Sequence, residues 1–430
     1  MLLASAAIMV GACGGGASPS ASTGGGGGSP GASPAGSGGQ VGGSVTVIGT
    51  WGGSEQDSFL AMVKPFEDST GIKVQYTGTR DLNAVLTTGV QSGILPDLAG
   101  LPGPGQMSEW AKAGALKPLD DVLDVATYKS ETAPALVDLG TVDGIFIKAA
   151  VKGLIWFDPK VYTAGPATTW DDLESKGAAA ATAAGGNTKP WCLALESGAA
   201  SGWPGTDWIE DLVLRQAGPD VYDKWVAGTQ TWTSPEIKTA FETFGKVVSE
   251  SYGGPKAINS TNFGDGGNQL FKTPPGCIFH HQASFITDFF KKQGGAKDGD
   301  FDFFPFPDIN SQYAGAVEGA GDLFGMFNDT PQARALIKYL VTADAQKIWV
   351  GRGGALSANK NANNYPDDVS KRSAAILTSA KIFRFDASDL MPTAMNDAFW
   401  KAIVSYVQDS SKLDSILTNL DTVQKSAYGG

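Results

Sequence analysis

From Val45 onward the chain alternates short β-rich runs with segments whose apolar residues recur at helical spacing. That rhythm constrains the fold more than any other feature of the sequence. Val45-Thr46-Val47-Ile48 is the first such run. Ser54 follows as a helix cap, with Phe59, Met62, Val63 and Phe66 along one helical face. Gly71 then stops the helix, and Ile72-Lys73-Val74-Gln75-Tyr76 reads as the next strand. A strand–helix–strand unit of this kind builds a parallel sheet with the helix crossing over it. The pattern predicts further helices over residues 81–91, 106–113, 207–216 and 234–251, from Trp170, and from the Thr330-Pro331 start. Strands are predicted over 97–101, 153–157, 191–195, 277–281 and 301–306, and residues 361–430 read as wholly helical. No internal repeat is visible. A folded body of this length exceeds one ordinary domain, and no Pro/Gly linker divides it. The expectation is two α/β domains with the chain crossing between them several times.

Composition narrows the classes. The chain has 430 residues, 42% of them hydrophobic and 18% charged, the profile of a core-forming protein rather than a disordered or coiled-coil one. Its net charge of −12, from 32 basic and 44 acidic residues, argues against nucleic acid as a partner, because phosphate binding needs clustered Lys and Arg. Residues 1–12 form an apolar stretch of the length of a secretory leader, too short to span a bilayer. It ends in Val10-Gly11-Ala12-Cys13, which resembles a bacterial lipobox, with Cys13 lipidated as the mature N-terminus. The alternative is an ordinary leader with a chance cysteine, and the usual Lys/Arg start is absent. Residues 14–43 are almost entirely Gly, Ser, Ala, Pro and Thr, a coil with a root-mean-square reach of roughly 30 Å. With Cys13 they make a lipidated tether over residues 13–43. Cys192 and Cys277 remain, an even pair in an oxidising compartment, which predicts a disulfide; two buried free thiols are the alternative.

Several motifs carry a resemblance. The opening Gly49-Thr50-Trp51-Gly52-Gly53-Ser54-Glu55, the Leu95-Pro96-Asp97-Leu98-Ala99 strand and the run Gly153-Leu154-Ile155-Trp156-Phe157-Asp158-Pro159-Lys160-Val161-Tyr162 before Thr169-Trp170-Asp171-Asp172-Leu173 are similar to those of the carbohydrate-binding (family 1, maltose-type) solute-binding proteins of bacterial ABC importers. Met391-Pro392 with Ala398-Phe399-Trp400-Lys401-Ala402 resembles their C-terminal helix. More narrowly, residues 190–198, 202–211 and 274–285 look like the α-glucoside group. The resemblance implies a two-lobe periplasmic-binding-protein fold (type II, maltose-binding-protein-like) with a hinge and an interlobe ligand cleft. It implies an N-terminal lobe of residues 44–152 and 313–360 and a C-terminal lobe of residues 153–312 and 361–430. It also implies a monomer on the outer face of the cell membrane that hands a sugar, an α-glucoside or other di- or oligosaccharide, to the permease subunits, without a cofactor of its own. The same fold binding a polyol or glycerol phosphate is the runner-up, and a secreted glycosidase comes last, because no nucleophile elbow, HExxH or phosphate loop is present.

A sugar binder needs aromatic platforms for C–H faces, and carboxylates or amides for paired hydroxyls. Candidates are Trp51, in the loop after the first strand, and Glu55 at the next helix start, the latter also explicable as a helix-dipole partner. Trp203, Asp207 and Trp208 bracket a Pro-Gly turn, where Asp207 also fits an N-cap. Gln106 follows the Pro102-Gly103-Pro104-Gly105 turn, and Gly319 and Asp322 lie in a segment similar to the family's glycine-rich crossover. Trp400 matches the family's C-terminal stacking tryptophan, although its apolar stripe also suits a core. His280 and His281 are the only histidines and point to opposite faces of a strand, so no shared metal is expected. His281 and Gln282, at the strand end, are read as hydroxyl partners or as groups satisfied within the lobe. The acidic 298–302 loop reads as solvated surface rather than a calcium site.

Overall fold

The computed structural model describes residues 42–140 and 144–429. The leader, Cys13 and the tether up to Val41 lie outside the described residues. Among the described residues there are ten strands: β1 (Ser44–Gly49), β2 (Lys73–Gly78), β3 (Leu98–Leu101), β4 (Gly144–Val151), β5 (Leu154–Phe157), β6 (Lys189–Cys192), β7 (Cys277–Gln282), β8 (Asp302–Pro305), β9 (Ala316–Met326) and β10 (Ile382–Phe385).

They form two sheets. In the first, β1 pairs in parallel with β2 and β3, and β3 runs antiparallel to the far half of β9. The long β9 also carries β10 in parallel beside its first residues and β4 antiparallel along its other edge. In the second sheet the order is β6-β7-β5-β8, with β5 antiparallel to both neighbours and β6 parallel to β7. The disulfide Cys192–Cys277 ties β6 to β7 across 85 residues of chain.

Each sheet is sandwiched by the helices that the apolar periodicity demands. Val45 and Val47 of β1 are buried against Phe59, Met62, Val63 and Phe66 on one side of helix Gly53–Thr70, and against Leu336, Ile337 and Leu340 of helix Pro331–Leu340. Trp191, Phe279 and Trp208 centre the second core, to which helices Pro235–Ser249 and Thr393–Gln408 contribute Phe244, Phe399 and Ile403.

The chain passes between the two lobes at Lys152-Gly153, between β8 and β9, and at Asp386 after β10. Gly153 has φ +65°, and a Cβ there would stand 2.3 Å from the Asp211 carboxylate, so the first crossing tolerates only glycine.

Three expectations are corrected. The stretch from residue 361 is not wholly helical and does not belong entirely to the second lobe: Ile382 to Phe385 pair with Ala316 to Gly319 of the first sheet, so the final crossing comes after Phe385. The strand is only four residues long and half-buried, too short for alternation to show. Helix Gly53–Thr70 is capped by Gly52, and Ser54 lies inside it. The Glu318-to-Asp322 segment, the glycine-rich crossover of the resemblance, lies within strand β9.

Candidate functional site

A cavity of about 430 Å³ lies between the lobes, at the carboxyl ends of the parallel strands β1 and β3. The loop after β1 supplies Thr50 and Trp51, the loop after β2 supplies Arg80 and Asp81, and helix Pro104–Lys112 supplies Gln106. The second lobe answers with Trp203 and Asp207 at the start of helix Trp203–Gln216, with Phe263 and Phe285, and with Asn396 and Trp400 of helix Thr393–Gln408. The hinge adds Lys152, Asp386 and Asp389.

Two buried lysines organise the floor. Lys148, on β4, is 4% exposed and pairs with Glu55 at 2.7 Å and Asp322 at 3.0 Å. Its ammonium also lies 4.9 Å from the Trp349 ring centre and 5.6 Å from that of Trp51. Lys152 pairs with Asp207 and Asp386, each at 2.8 Å, and sits 5.2 Å from the Trp203 ring centre. Burial opposes both ammonium charges, but the paired carboxylates outweigh it and raise both lysines above their ordinary range.

Behind Lys152 the hinge holds more acids than cations. Glu318, at the start of β9, is fully buried, and neither carboxyl oxygen has a hydrogen-bond partner among the described residues. Burial, with Asp211, Glu210, Asp386 and Asp207 around it, pushes Glu318 well above the usual carboxyl range. The same cause raises Glu210, which accepts from the Ala387 N–H at 2.8 Å. Burial, with Asp386 beside it, also pushes Asp207 up to about 7 despite Lys152. Asp386 itself is held below its usual range: burial acts against it, but Lys152 and the Asp389 N–H outweigh that cost. Asp207, Glu318 and Asp386 bring oxygens within 4.8 Å of one another, a spacing a metal could use. The Lys152 ammonium already sits at 2.8 Å from two of these three, so the cluster has its cation built in.

The lips of the cleft touch. Asn83 donates through Nδ2 to Asp397 Oδ1 at 2.9 Å, while Gln106 donates to Asn83 Oδ1 at 2.5 Å. The Arg80 guanidinium lies 4.7 Å from the Phe263 ring centre.

Seven of the sequence candidates come together on the cavity: Trp51, Glu55, Gln106, Trp203, Asp207, Asp322 and Trp400. Trp51 presents little of itself, being 2% exposed and packed on Phe59, Tyr76, Phe324 and Trp349. Trp203 and Trp400 are half-buried and offer more ring surface. Glu55 and Asp322 reach the cavity as partners of Lys148.

The other four do not line it. Trp208 is fully buried, 5.0 Å from Trp191 and 4.3 Å from His281 between ring centres, because its helix turns that face into the core. His281 bonds Asp211 at 2.7 Å, and Asp211 also pairs with Arg215. Gln282 is 1% exposed; its side-chain oxygen accepts from the Ala283 N–H and its carbonyl from Trp156 Nε1. Gly319 is enclosed by β4 and β10, opposite Val151 and Phe385. Sequence reasoning missed Asn83, Lys148, Lys152, Phe263, Phe285 and the Asp386–Asp389 turn. One signal was available: two lysines four residues apart in the otherwise apolar 144–153 run must be paired if that run is a buried strand.

Two α/β lobes thus wall a cleft lined by aromatic rings, carboxylates and amides from both sides. The family model for the bacterial extracellular solute-binding protein matches residues 52–347, and the chain belongs to that family. Among curated relatives, it is 38% identical over 376 residues to the osmoprotective compounds-binding protein GgtB of Synechocystis sp., covering 84% of this chain and 88% of that one. It is 35% identical over 389 residues to the alpha-glucosides-binding periplasmic protein AglE of Rhizobium meliloti, covering 86% and 85%. A solved chitin oligosaccharide binding protein superposes with a TM-score of 0.78 at 20% identity, covering 90% of this chain and 99% of that one. The solute-binding protein RafE in complex with raffinose superposes with a TM-score of 0.71 at 16% identity, with the same coverage. Both share the fold.

Proposed function

We propose that the chain is the extracytoplasmic receptor of an ABC importer that captures an α-glucoside or similar di- or oligosaccharide between its lobes and presents it to the permease. The observation that carries this reading is the cavity itself: about 430 Å³, with Trp203, Phe263, Phe285 and Trp400 on one wall and carboxylates and amides from both lobes around it. Aromatic faces take sugar C–H surfaces, and carboxylates take vicinal hydroxyls in pairs. The name of one curated relative, an alpha-glucosides-binding protein, supports the same ligand class, whereas the other names osmoprotective compounds.

The lip contacts Asn83–Asp397 and Arg80–Phe263 define a closed arrangement, and ligand bridging the lobes favours it over an open one. Trp51, Gln106, Trp203, Asp207, Trp400 and Asn396 are the residues assigned to ligand. Lipidation at Cys13 and a membrane-side tether complete the proposal, which rests there on the sequence pattern of residues 1–43.

The test is a thermal-shift panel of the purified chain with glucose, maltose, trehalose, sucrose and maltotriose. Ligand at 100 times its dissociation constant stabilises by about 2.7 kcal/mol. A shift with a disaccharide that is recovered intact supports a receptor. Hydrolysis of the sugar during the assay shows an enzyme instead, and no shift with any member refutes the sugar assignment.

A further inference from the structure

The charge distribution in the cleft says what kind of glycoside it takes, an inference that rests on the receptor reading above. Each floor lysine is outnumbered: Lys148 meets Glu55 and Asp322, and Lys152 meets Asp207 and Asp386. Neither ammonium is left to receive an anion. The remaining cations, Arg80 and Lys401, stand at the rim, where Asp81 and Asp397 also line the cavity.

Asp389 is different from the other acids. It lies in the turn of helix at Ala387–Leu390, lines the cavity and is only 8% exposed. Its backbone N–H donates to Asp386, but its carboxyl makes no hydrogen bond or ion pair with any described residue. A carboxyl so deeply placed without a protein partner is expected to be satisfied by what enters the cavity.

We propose that the cleft is a charge filter that excludes anionic glycosides and accepts ammonium-bearing ones, with Asp389 as the counter-ion that reads the ligand's charge. Burial, with Asp386, Asp207 and Asp322 facing it and Lys152 too well paired to compensate, holds the Asp389 carboxyl well above its usual range. The field that resists ionisation of Asp389 resists a negative charge on the ligand equally, and an ammonium ligand offsets it so that Asp389 gives up its proton to solvent and becomes the counter-ion. A protonated amine relieves it, and a neutral sugar is accommodated by hydrogen bonds alone.

The experiment measures dissociation constants by calorimetry for maltose and trehalose, each as the neutral sugar, as the 6-carboxylate and as the 6-amino derivative. For at least one of the two sugars, the carboxylate is expected to bind at least 30-fold more weakly than the neutral form, and the amine about tenfold more tightly. Asp389→Asn removes the advantage of the amine and leaves the carboxylate disfavoured, because the surplus at Glu55, Asp322, Asp207 and Asp386 persists. Equal binding of carboxylate and neutral forms overturns the filter while leaving the receptor standing. An amine advantage that survives Asp389→Asn overturns the assignment to Asp389. If no member of either set binds, the glycoside reading itself fails and the filter falls with it.

Discussion

Replacing Lys152 with Met removes the cation from the hinge while keeping the length and apolar bulk of the side chain. Lys152 is 7% exposed and holds Asp207 and Asp386 at 2.8 Å. Asp207 already sits near pH 7 in its tendency to ionise, so the burden falls on Asp386, which Lys152 keeps ionised below its usual range. Without the ammonium, Asp386 must take up a proton to remain buried. Protonating an aspartate of ordinary pKa costs about 4 kcal/mol at pH 7 and about 1.5 kcal/mol at pH 5, at 1.36 kcal/mol per pH unit. The first figure lies within the roughly 3–5 kcal/mol seen when one partner of a buried ion pair is removed. The entropy of unfolding for a body of this size is about 0.8 kcal/mol per degree, so Tm should fall by about 5 °C at pH 7 and by about 2 °C at pH 5. Thermal melts followed by circular dichroism at the two pH values read this directly. An equal drop at both, or none at pH 7, would falsify the claim that Lys152 acts by keeping buried carboxylate charge compensated.

Other predictions follow from neighbouring parts of the structure. Glu318 and Asp207 have raised carboxyl values, so the folded state holds more protons than the unfolded chain. Their stabilisation is fully present below about pH 4 and is lost as the pH rises through about 7 and beyond. Glu318→Gln should therefore flatten the decline of Tm between pH 5 and pH 8 and raise Tm at pH 8; a parallel, unchanged decline would remove Glu318 from this role. Trp203→Ala should weaken sugar binding tenfold or more in a calorimetric titration. Trp208→Ala, which empties the second core, should cost about 3–5 kcal/mol of stability in a denaturant melt. If the two variants behave alike, the division between cleft and core at these positions is wrong. Replacing Cys192 and Cys277 together by Ser opens a link across 85 residues, and a loss of about 4–5 kcal/mol is expected in guanidinium unfolding under non-reducing conditions. Asn83→Ala removes the lip bond to Asp397 and should raise the dissociation constant about three- to tenfold, with a larger radius of gyration in solution scattering at subsaturating sugar; an unchanged affinity would show that the lip bond does not hold the cleft closed.

The alternation of β-rich runs and helical stripes was enough to find the α/β class, most helices and seven of the ten strands, because burial on a helix or strand imposes a local period that any reader of the sequence sees. The strands it missed, β4, β9 and β10, fail for separate reasons. β4 and β9 are buried on all sides and carry ionic residues, so neither alternates, and β10 is a four-residue strand in a helical neighbourhood.

The candidate site divides along the same line. Trp203 and Trp400 were legible because an aromatic near a Pro-Gly turn or in a family-like helix is a local feature. Trp208 is five residues from Trp203 and chemically identical to it, yet only the packing of helix Trp203–Gln216 against β7 turns one ring to the cleft and the other to the core. Lys152, Asp207 and Asp389 come from chain segments as much as 237 residues apart (389 − 152), joined where the chain crosses between lobes. Sequence determined which elements form and what chemistry they carry. Tertiary structure decided which charges meet, because compensation of a buried charge depends on distances of a few ångströms that no local spacing encodes.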